Sequence, residues 1–365
     1  MNTKTRDHAT TLVDWSARIE TGDDVIVSVG EGAHDLAVAV AGVLGERGAN
    51  LVTLYGSDEM QRSYLRNHPG DFDADPAYHR SLYEEADSVL FLNGTRNVTE
   101  MADVPDDVRQ AHAQALQGVR EARMDTDWVS TIHPTRALAQ QADMSFEAYR
   151  RFVYDAVLRD WESLAEEMAE LKTLLDTGNE VRIVKDDGVT DLSMSIANRT
   201  AVNSAASVAY DSHNLPSGEV FTAPTATDGS VLFDVPMTIQ GNRIRNAVLT
   251  FEAGEVVDWE ADDGEEFITA TIETDDGARR LGELGIGMNR GIDRATGQIL
   301  FDEKMGGTIH LALGRAYDAN LPDGETGNQS AVHVDLITDM RADETRLEID
   351  GETVQQDGRF RWEVD

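Results

Sequence analysis

Two hydrophobic patterns alternate along the first half of the chain. Short apolar runs rich in β-branched residues occupy 25–29, 50–55 and 88–92, and apolar residues recur at helical spacing over 35–47 and 106–122. The first pattern is typical of buried strands and the second of amphipathic helices. Strand–helix–strand order with short links predicts a parallel sheet covered by helices.

A glycine pair, Gly30 and Gly32, follows the first predicted strand and invites comparison with nucleotide-binding loops. The segment Gly-Glu-Gly-Ala-His-Asp lacks the third glycine of the dinucleotide fingerprint and the lysine of a phosphate loop. We therefore interpret it as a tight turn between a strand and a helix.

The segment 145–175 carries apolar residues at helical spacing over its whole length. Ser145 can cap its start and Gly178 can end it. We predict that a domain boundary follows near Gly178. This divides the chain into an N-terminal domain, residues 1–178, and a C-terminal domain, residues 179–365.

The second half changes to short apolar runs separated by Asp-Gly and similar turns. The runs predicted as strands are 181–184, 192–196, 248–251 and 267–272. The predicted fold class is thus α/β with two domains. A parallel-sheet α/β domain comes first, and a β-rich α+β domain that binds metal follows.

The charge balance is strongly acidic, with 68 Asp and Glu against 31 Lys and Arg and a formal net charge of −37. Only four of the basic residues are lysines: Lys4, Lys172, Lys185 and Lys304. Dispersed carboxylates in such excess are tolerable where salt screens them, which predicts a halophilic protein in a salt-rich cytosol. A nucleic-acid partner is disfavoured because no basic face is apparent.

The remaining composition narrows the possible chemistry. The chain has no cysteine, which excludes disulfides, thiolate metal sites and cysteine nucleophiles. Its most apolar segment, 36–44, is too short to cross a bilayer, so neither a membrane anchor nor a membrane partner is expected. The predicted location is the cytoplasm.

Two histidines lie within apolar runs. His333 and Asp335 are two residues apart in a predicted strand, so their side chains share one face. His310 also needs partners for its ring nitrogens if it is buried, and a metal supplies one. Six further histidines have polar or turn-like contexts, which predicts surface or capping roles: His8, His34, His68, His79, His112 and His213.

Two glutamates are similarly placed. Glu219 begins a short apolar strand, and Glu283 is a lone carboxylate in an apolar, glycine-rich stretch. Buried carboxylates are costly unless they are ionised against cations. Histidines and carboxylates without thiolates suit Zn, Co, Mn or Fe, and several carboxylates can bridge two ions.

Four motifs in the second half resemble the aminopeptidase T family of thermophilic-type metallopeptidases. They are GEVFTAP at 218–224, LGELGIG at 281–287, DEKMGGTIHLALGRAY at 302–317 and SAVHVDLI at 330–337. The segment 127–141 with Met144-Ser-Phe-Glu147 resembles the family too, so the similarity covers nearly the whole chain.

This resemblance implies a metal site and a reaction. The implied metal ligands are Glu219, Glu283, His310, His333 and Asp335. Tyr317 would be an active-site tyrosine, and Glu303 an acidic neighbour of the site. The family further implies two divalent metal ions such as Zn, Co, Mn or Mg, peptide substrates and a homodimer.

The implied function is a metallo-aminopeptidase that removes N-terminal residues with a water activated by two metals. Glu219 or Glu283 would take the proton of this water, and Tyr317 would donate to the oxyanion. The alternative is a mononuclear iron ring-cleaving dioxygenase that uses only His310, His333 and Asp335. The presence of both glutamates favours the peptidase.

Overall fold

A computed structural model describes residues 2–239 and 241–363. Eleven α-helices lie within these residues: α1 (Thr3–Thr10), α2 (His34–Arg47), α3 (Asp58–Asn67), α4 (Ala77–Glu84), α5 (Asp106–Ala115), α6 (Gln117–Met124), α7 (Arg136–Gln141), α8 (Phe146–Val157), α9 (Trp161–Thr177), α10 (Glu265–Ile272) and α11 (Ile299–Asp302).

Twenty β-strands lie within the same described ranges: β1 (Asp24–Gly30), β2 (Asn50–Gly56), β3 (Ser88–Asn93), β4 (Asp127–Ile132), β5 (Glu180–Val184), β6 (Asp191–Ser195), β7 (Val202–Ser204), β8 (Asn214–Leu215), β9 (Glu219–Thr222), β10 (Thr225–Phe233), β11 (Met237–Ile239), β12 (Asn242–Ile244), β13 (Ala247–Glu252), β14 (Glu255–Glu260), β15 (Leu281–Gly287), β16 (Thr308–Gly314), β17 (His333–Asp339), β18 (Arg346–Ile349), β19 (Glu352–Gln356) and β20 (Arg359–Phe360).

Contacts divide the chain into two compact units. The first unit is Met1–Arg159 with Ala206–Pro216, and the second is Asp160–Ala205 with Ser217–Asp365. Helix α9 thus belongs to the second unit by its contacts, although the predicted boundary near Gly178 would place it in the first domain. The division at Gly178 stays a prediction.

The first unit contains the predicted parallel sheet. Its strand order is β2-β1-β3-β4-β8, and every neighbouring pair is parallel. The predicted helix over 35–47 is α2, and Gly48 ends it with φ 80°, a left-handed conformation that glycine adopts without steric cost. The α/β prediction is confirmed.

The turn after β1 is tightly packed against the loop after β3. Gly32 N donates a hydrogen bond to Gly94 O at 2.8 Å. A Cβ on Gly32 would lie 2.6 Å from Gly94 O and 2.7 Å from Thr135 Cγ2. These glycines therefore allow a close approach of two backbones, which agrees with the interpretation of Gly30–Gly32 as a turn.

Two predicted helices are each divided in the structure. The segment 106–122 forms α5 and α6, and 145–175 forms α8 and α9. Ser145 caps α8 as predicted, since its Oγ accepts from Ala148 N at 3.2 Å. The break before α9 arises because Asp160 supplies a second cap, accepting from Ser163 N at 3.2 Å.

The second unit is built mainly from two antiparallel sheets. An eight-stranded sheet has the order β14-β13-β10-β6-β5-β18-β19-β20, and a five-stranded sheet has the order β17-β16-β15-β9-β7. The β-rich prediction is confirmed, with one error. The segment 267–272 is part of helix α10, because Gly264 at φ 86° turns the chain and Glu265 and Glu266 favour the helix N-terminus.

No helix among the described residues is long and apolar enough to span a membrane. The longest of them, α9, has 17 residues and carries several acidic side chains.

Candidate metal centre

The candidate site lies on one face of the five-stranded sheet. In the antiparallel register, Ala312 of β16 stands between Glu283 of β15 and Asp335 of β17. His310 lies two residues before Ala312, opposite Gly285. Because alternate residues of a strand share a face, these three functional side chains project to the same side.

Glycines make room for the imidazole and for the neighbouring groups. A Cβ on Gly285 would lie 2.0 Å from both Nε2 and Cε1 of His310, so a side chain at this position is incompatible with the observed ring. Gly287 pairs with Glu219 of β9, and Gly314 pairs with His333 of β17. The remaining two predicted ligands thus also lie opposite glycines.

Glu283 is the central group of the site. Its Oε1 lies 3.0 Å from His310 Nε2, and its Oε2 lies 3.5 Å from His333 Nε2. His333 Nε2 also lies 3.5 Å from Asp335 Oδ1, and His310 Nε2 lies 3.8 Å from Glu219 Oε2. All five predicted ligands are therefore brought together, with Glu283 between the two histidines.

Backbone carbonyls fix the orientation of both imidazoles. His310 Nδ1 lies 3.0 Å from Glu303 O, and His333 Nδ1 lies 2.9 Å from Arg315 O. A carbonyl can only accept a hydrogen bond, so each Nδ1 donates. In the neutral ring Nε2 is then unprotonated and points towards the carboxylates, as in histidines that bind metals.

The carboxylates are buried and incompletely paired. Glu219 is 6% exposed and Glu283 is 5% exposed. The Oε2 atom of each accepts no hydrogen bond from the residues that the structure describes. Ligand atoms of Glu283, His310 and Asp335 lie within 4.8 Å of one another. Buried oxygens that lack donors, beside the Nε2 atoms of two imidazoles, fit divalent cations.

The electrostatics of the protein groups show the same demand for positive charge. Burial lowers the pKa of His310, but the carboxylates of Glu283 and Glu219 outweigh burial and raise it to about 10. Burial also lowers the pKa of His333, but the carboxylates of Asp335 and Glu283 outweigh burial and raise it to about 9. Burial raises the pKa of Glu283, so that group resists ionisation without a cation.

A buried lysine, which was not predicted, belongs to the site. Lys304 is 0% exposed, and its Nζ lies 3.2 Å from Glu219 Oε1 and forms an ion pair with Glu303. Burial lowers the pKa of Lys304, but these two carboxylates reverse the effect and raise it. One signal was available in the sequence, because Lys304 is one of only four lysines and stands before Met-Gly-Gly.

Glu303 and Tyr317 lie at the border of the site. Burial, partly offset by Lys304, raises the pKa of Glu303 to about 7. The Tyr317 ring centroid lies 5.0 Å from that of His333, and the residue is 45% exposed. Burial, with the carboxylate of Glu283 next in importance, raises the pKa of the Tyr317 phenol, which therefore stays a proton donor.

Two other titratable residues lie away from this site. Glu325 forms an ion pair with Arg199, at 2.6 Å, and has no contact with the five ligands among the described interactions. The prediction of a surface or capping role was wrong for His8, which is fully buried with Nε2 2.7 Å from Thr131 Oγ1. Burial, with His133 as the lesser cause, lowers the pKa of His8 to about 3.

The sequence matches a known family over almost its whole length. The model of the thermophilic metalloprotease (M29) family matches residues 1–360, and the chain belongs to this family. It is thus an enzyme that hydrolyses peptide bonds, as the resemblance to the aminopeptidase T family predicted.

Individual relatives agree with this assignment. The chain is 29% identical to aminopeptidase T of Thermus thermophilus, with 95% of each chain covered. It is 28% identical to aminopeptidase 2 of Geobacillus stearothermophilus, with 96% of this chain and 94% of the relative covered.

Two solved structures share the fold. Wild-type AmpT from Thermus thermophilus superposes with a TM-score of 0.83 at 25% identity, covering 98% of this chain and 99% of the other. A 2,5-dihydroxypyridine dioxygenase from Pseudomonas putida KT2440 superposes with a TM-score of 0.55 at 15% identity, covering 98% of this chain and 96% of that one. The second likeness concerns the fold alone.

Proposed function

We propose that the chain is a metal-dependent aminopeptidase that removes N-terminal residues from peptides with two divalent ions. The observation that carries this proposal is the position of Glu283. Its two oxygens face two different histidines, each of which directs its Nε2 towards the same space. A carboxylate so placed is suited to bridge a pair of ions.

The five ligands would divide around Glu283. His310 and Glu219 lie on the side of Oε1, and His333 and Asp335 lie on the side of Oε2. Bound divalent ions would supply a water of lowered pKa and would polarise the scissile carbonyl. The imidazole nitrogens suit Zn and the carboxylate oxygens suit Mn or Mg, so the mixed set fits divalent ions of both kinds.

Glu219 is the proposed proton acceptor. Lys304 binds its Oε1, while its Oε2 accepts no hydrogen bond among the described residues. That oxygen can take a proton from the attacking water and pass it to the leaving amine. Tyr317, at the open side, would donate a hydrogen bond to the oxyanion that develops on the substrate.

The dioxygenase alternative explains less of the site. It would use only His310, His333 and Asp335 as ligands. It would leave Glu283 buried between both histidines, and Glu219 buried beside Lys304, without any role in the reaction. Burying a carboxylate without a compensating partner costs free energy. The peptidase scheme gives both glutamates a role, so the site supports it better than the dioxygenase scheme.

The test is hydrolysis of short peptides by protein that is first chelated and then reloaded with single metals. The proposal requires that chelation abolishes hydrolysis, that a divalent ion restores it, and that about two ions bind per chain. Hydrolysis that survives exhaustive chelation would contradict it. So would one iron per chain with oxygen-dependent consumption of a hydroxylated pyridine.

A homodimer and a salt-rich cytoplasm complete the proposal. The homodimer follows only from the resemblance to the aminopeptidase T family, and the location is supported by the net charge of −37 with only four lysines. Sedimentation at several salt concentrations tests the dimer.

A further inference from the structure

The edge of the five-stranded sheet next to the metal centre is open over a short stretch. β17 is the outermost strand, and it pairs only with β16 in this sheet. Ile337 O accepts a hydrogen bond from Val235 N, at 3.3 Å, so the polar backbone atoms of Ile337 point away from β16. The backbone N–H and C=O groups of successive residues in an antiparallel strand point alternately to its two sides. Those of His333 and Asp335 therefore point to the same free edge as those of Ile337.

A cavity lined by both apolar and polar residues lies along this edge. Its volume is about 340 Å³, within the range of small-ligand sites, which is about 300–1,000 Å³. Among its lining residues are two candidate metal ligands and four apolar residues: His333, Asp335, Met237, Ile239, Ile299 and Val334. The cavity therefore shares two lining residues with the metal centre.

The free edge is closed at one end by the chain itself. Val235 covers the edge at Ile337, and the Asp234 carboxylate accepts a hydrogen bond from Asp339 N at 2.8 Å. An added strand can thus lie beside His333 and Asp335 but cannot continue along β17 past Ile337. Such an edge accepts the end of a peptide more readily than its middle.

We propose that the free edge of β17 binds the substrate as an added antiparallel strand, with its N-terminal residue at the closed end and that residue's apolar side chain in the adjoining cavity. This proposal rests on the aminopeptidase function. Main-chain hydrogen bonds to the edge would hold any sequence, and the cavity would select the first side chain. The expected substrates begin with residues such as Leu or Met.

The experiment compares kcat/KM for the tripeptides Leu-Ala-Ala, Asp-Ala-Ala and a Leu-Ala-Ala that is N-methylated on its third residue. We expect Leu-Ala-Ala to exceed Asp-Ala-Ala by about 10-fold or more, since apolar pockets discriminate at that level. We expect N-methylation, distant from the scissile bond, to lower kcat/KM about fivefold through one lost hydrogen bond.

Two matched variants connect the preference to the cavity. Ile299 is 44% exposed at the cavity, and Val257 of β14 is 47% exposed and does not line it, so both tolerate Asp. Ile299→Asp should reduce the Leu-to-Asp ratio about 10-fold, mainly through the KM for Leu-Ala-Ala. Val257→Asp should leave the ratio unchanged.

Any of three results would overturn this inference: equal kcat/KM for the first two peptides, equal Leu-to-Asp ratios in both variants, or an undiminished kcat/KM for the N-methylated peptide. The aminopeptidase function would stand in each case. Failure of the wild-type enzyme to hydrolyse any of these peptides, with metal loaded, would instead contradict the aminopeptidase function itself.

Discussion

Removing the ammonium of Lys304 should destabilise the metal centre strongly. Lys304→Met leaves the carboxylates of Glu219 and Glu303 near one another without the cation that both contact. Removal of one partner of a buried ion pair typically costs about 3–5 kcal/mol, because an uncompensated charge stays buried. With about 2–4 °C of melting temperature per kcal/mol, the expected fall is roughly 6–20 °C.

The chain offers a matched control. Lys172 is partly exposed and pairs with Asp176 at 2.5 Å, one helical turn away. An exposed pair of this type contributes only about 0.3–0.5 kcal/mol, so Lys172→Met should shift melting by no more than about 2 °C. Lys304→Arg keeps the charge. Adding Glu303→Gln to Lys304→Met removes one of the two uncompensated carboxylates, so it should recover part of the lost melting temperature.

The assay is thermal unfolding followed by circular dichroism in molar KCl, with metal-free and metal-loaded protein. Metal loading should reduce the difference between Lys304→Met and wild type, because bound cations also offset the carboxylates. If Lys304→Met and Lys172→Met melt alike, the assignment of Lys304 to the electrostatics of the centre is wrong.

Three further comparisons test other features of the protein. Glu283→Gln should keep the fold and lower kcat by more than about 100-fold, since even partners of metal ligands contribute 10- to 100-fold. Glu325→Gln should leave kcat nearly unchanged, because this residue pairs with Arg199 and with none of the five candidate ligands. Gly285→Ala should displace the His310 ring and abolish tight metal binding, measured by calorimetry, whereas Gly45→Ala, with nothing within 4 Å of its Cβ, should not. The melting temperature should rise steeply with KCl, because the Debye length falls from about 30 Å at 0.01 M to about 3 Å at 1 M.

Each of these predictions has a contradicting result. Similar turnover of Glu283→Gln and Glu325→Gln would mean that the site is placed wrongly. Unaltered metal affinity in Gly285→Ala would mean that His310 is no ligand. A melting temperature that stays flat from dilute buffer to molar KCl would mean that the acidic surface serves another purpose.

Much of the site could be predicted because its ligands are polar or charged residues within short apolar runs of the sequence. His333 and Asp335 are two residues apart in one strand, and Glu283 is a single charge among apolar neighbours. Such residues are costly in a core unless they have a function. The face that they share follows directly from the period of a strand.

What could not be predicted depends on long-range packing. The role of Lys304 requires that the loop before β16 folds back onto β9, which no local pattern specifies. The burial of His8 likewise depends on β4, far away in sequence. The segment 267–272 resembles a strand by composition, but it forms a helix because Gly264 and two glutamates at the start of α10 favour helix initiation.

The central claim is that a metal site on this sheet removes N-terminal residues. The most direct measurement is mass spectrometry of one peptide, with a free or an N-acetylated terminus, after incubation with metal-loaded and with chelated protein. The claim predicts stepwise loss of residues from the free N-terminus only, with metal only. Internal cleavage, attack on the acetylated peptide, or equal products after chelation would contradict it.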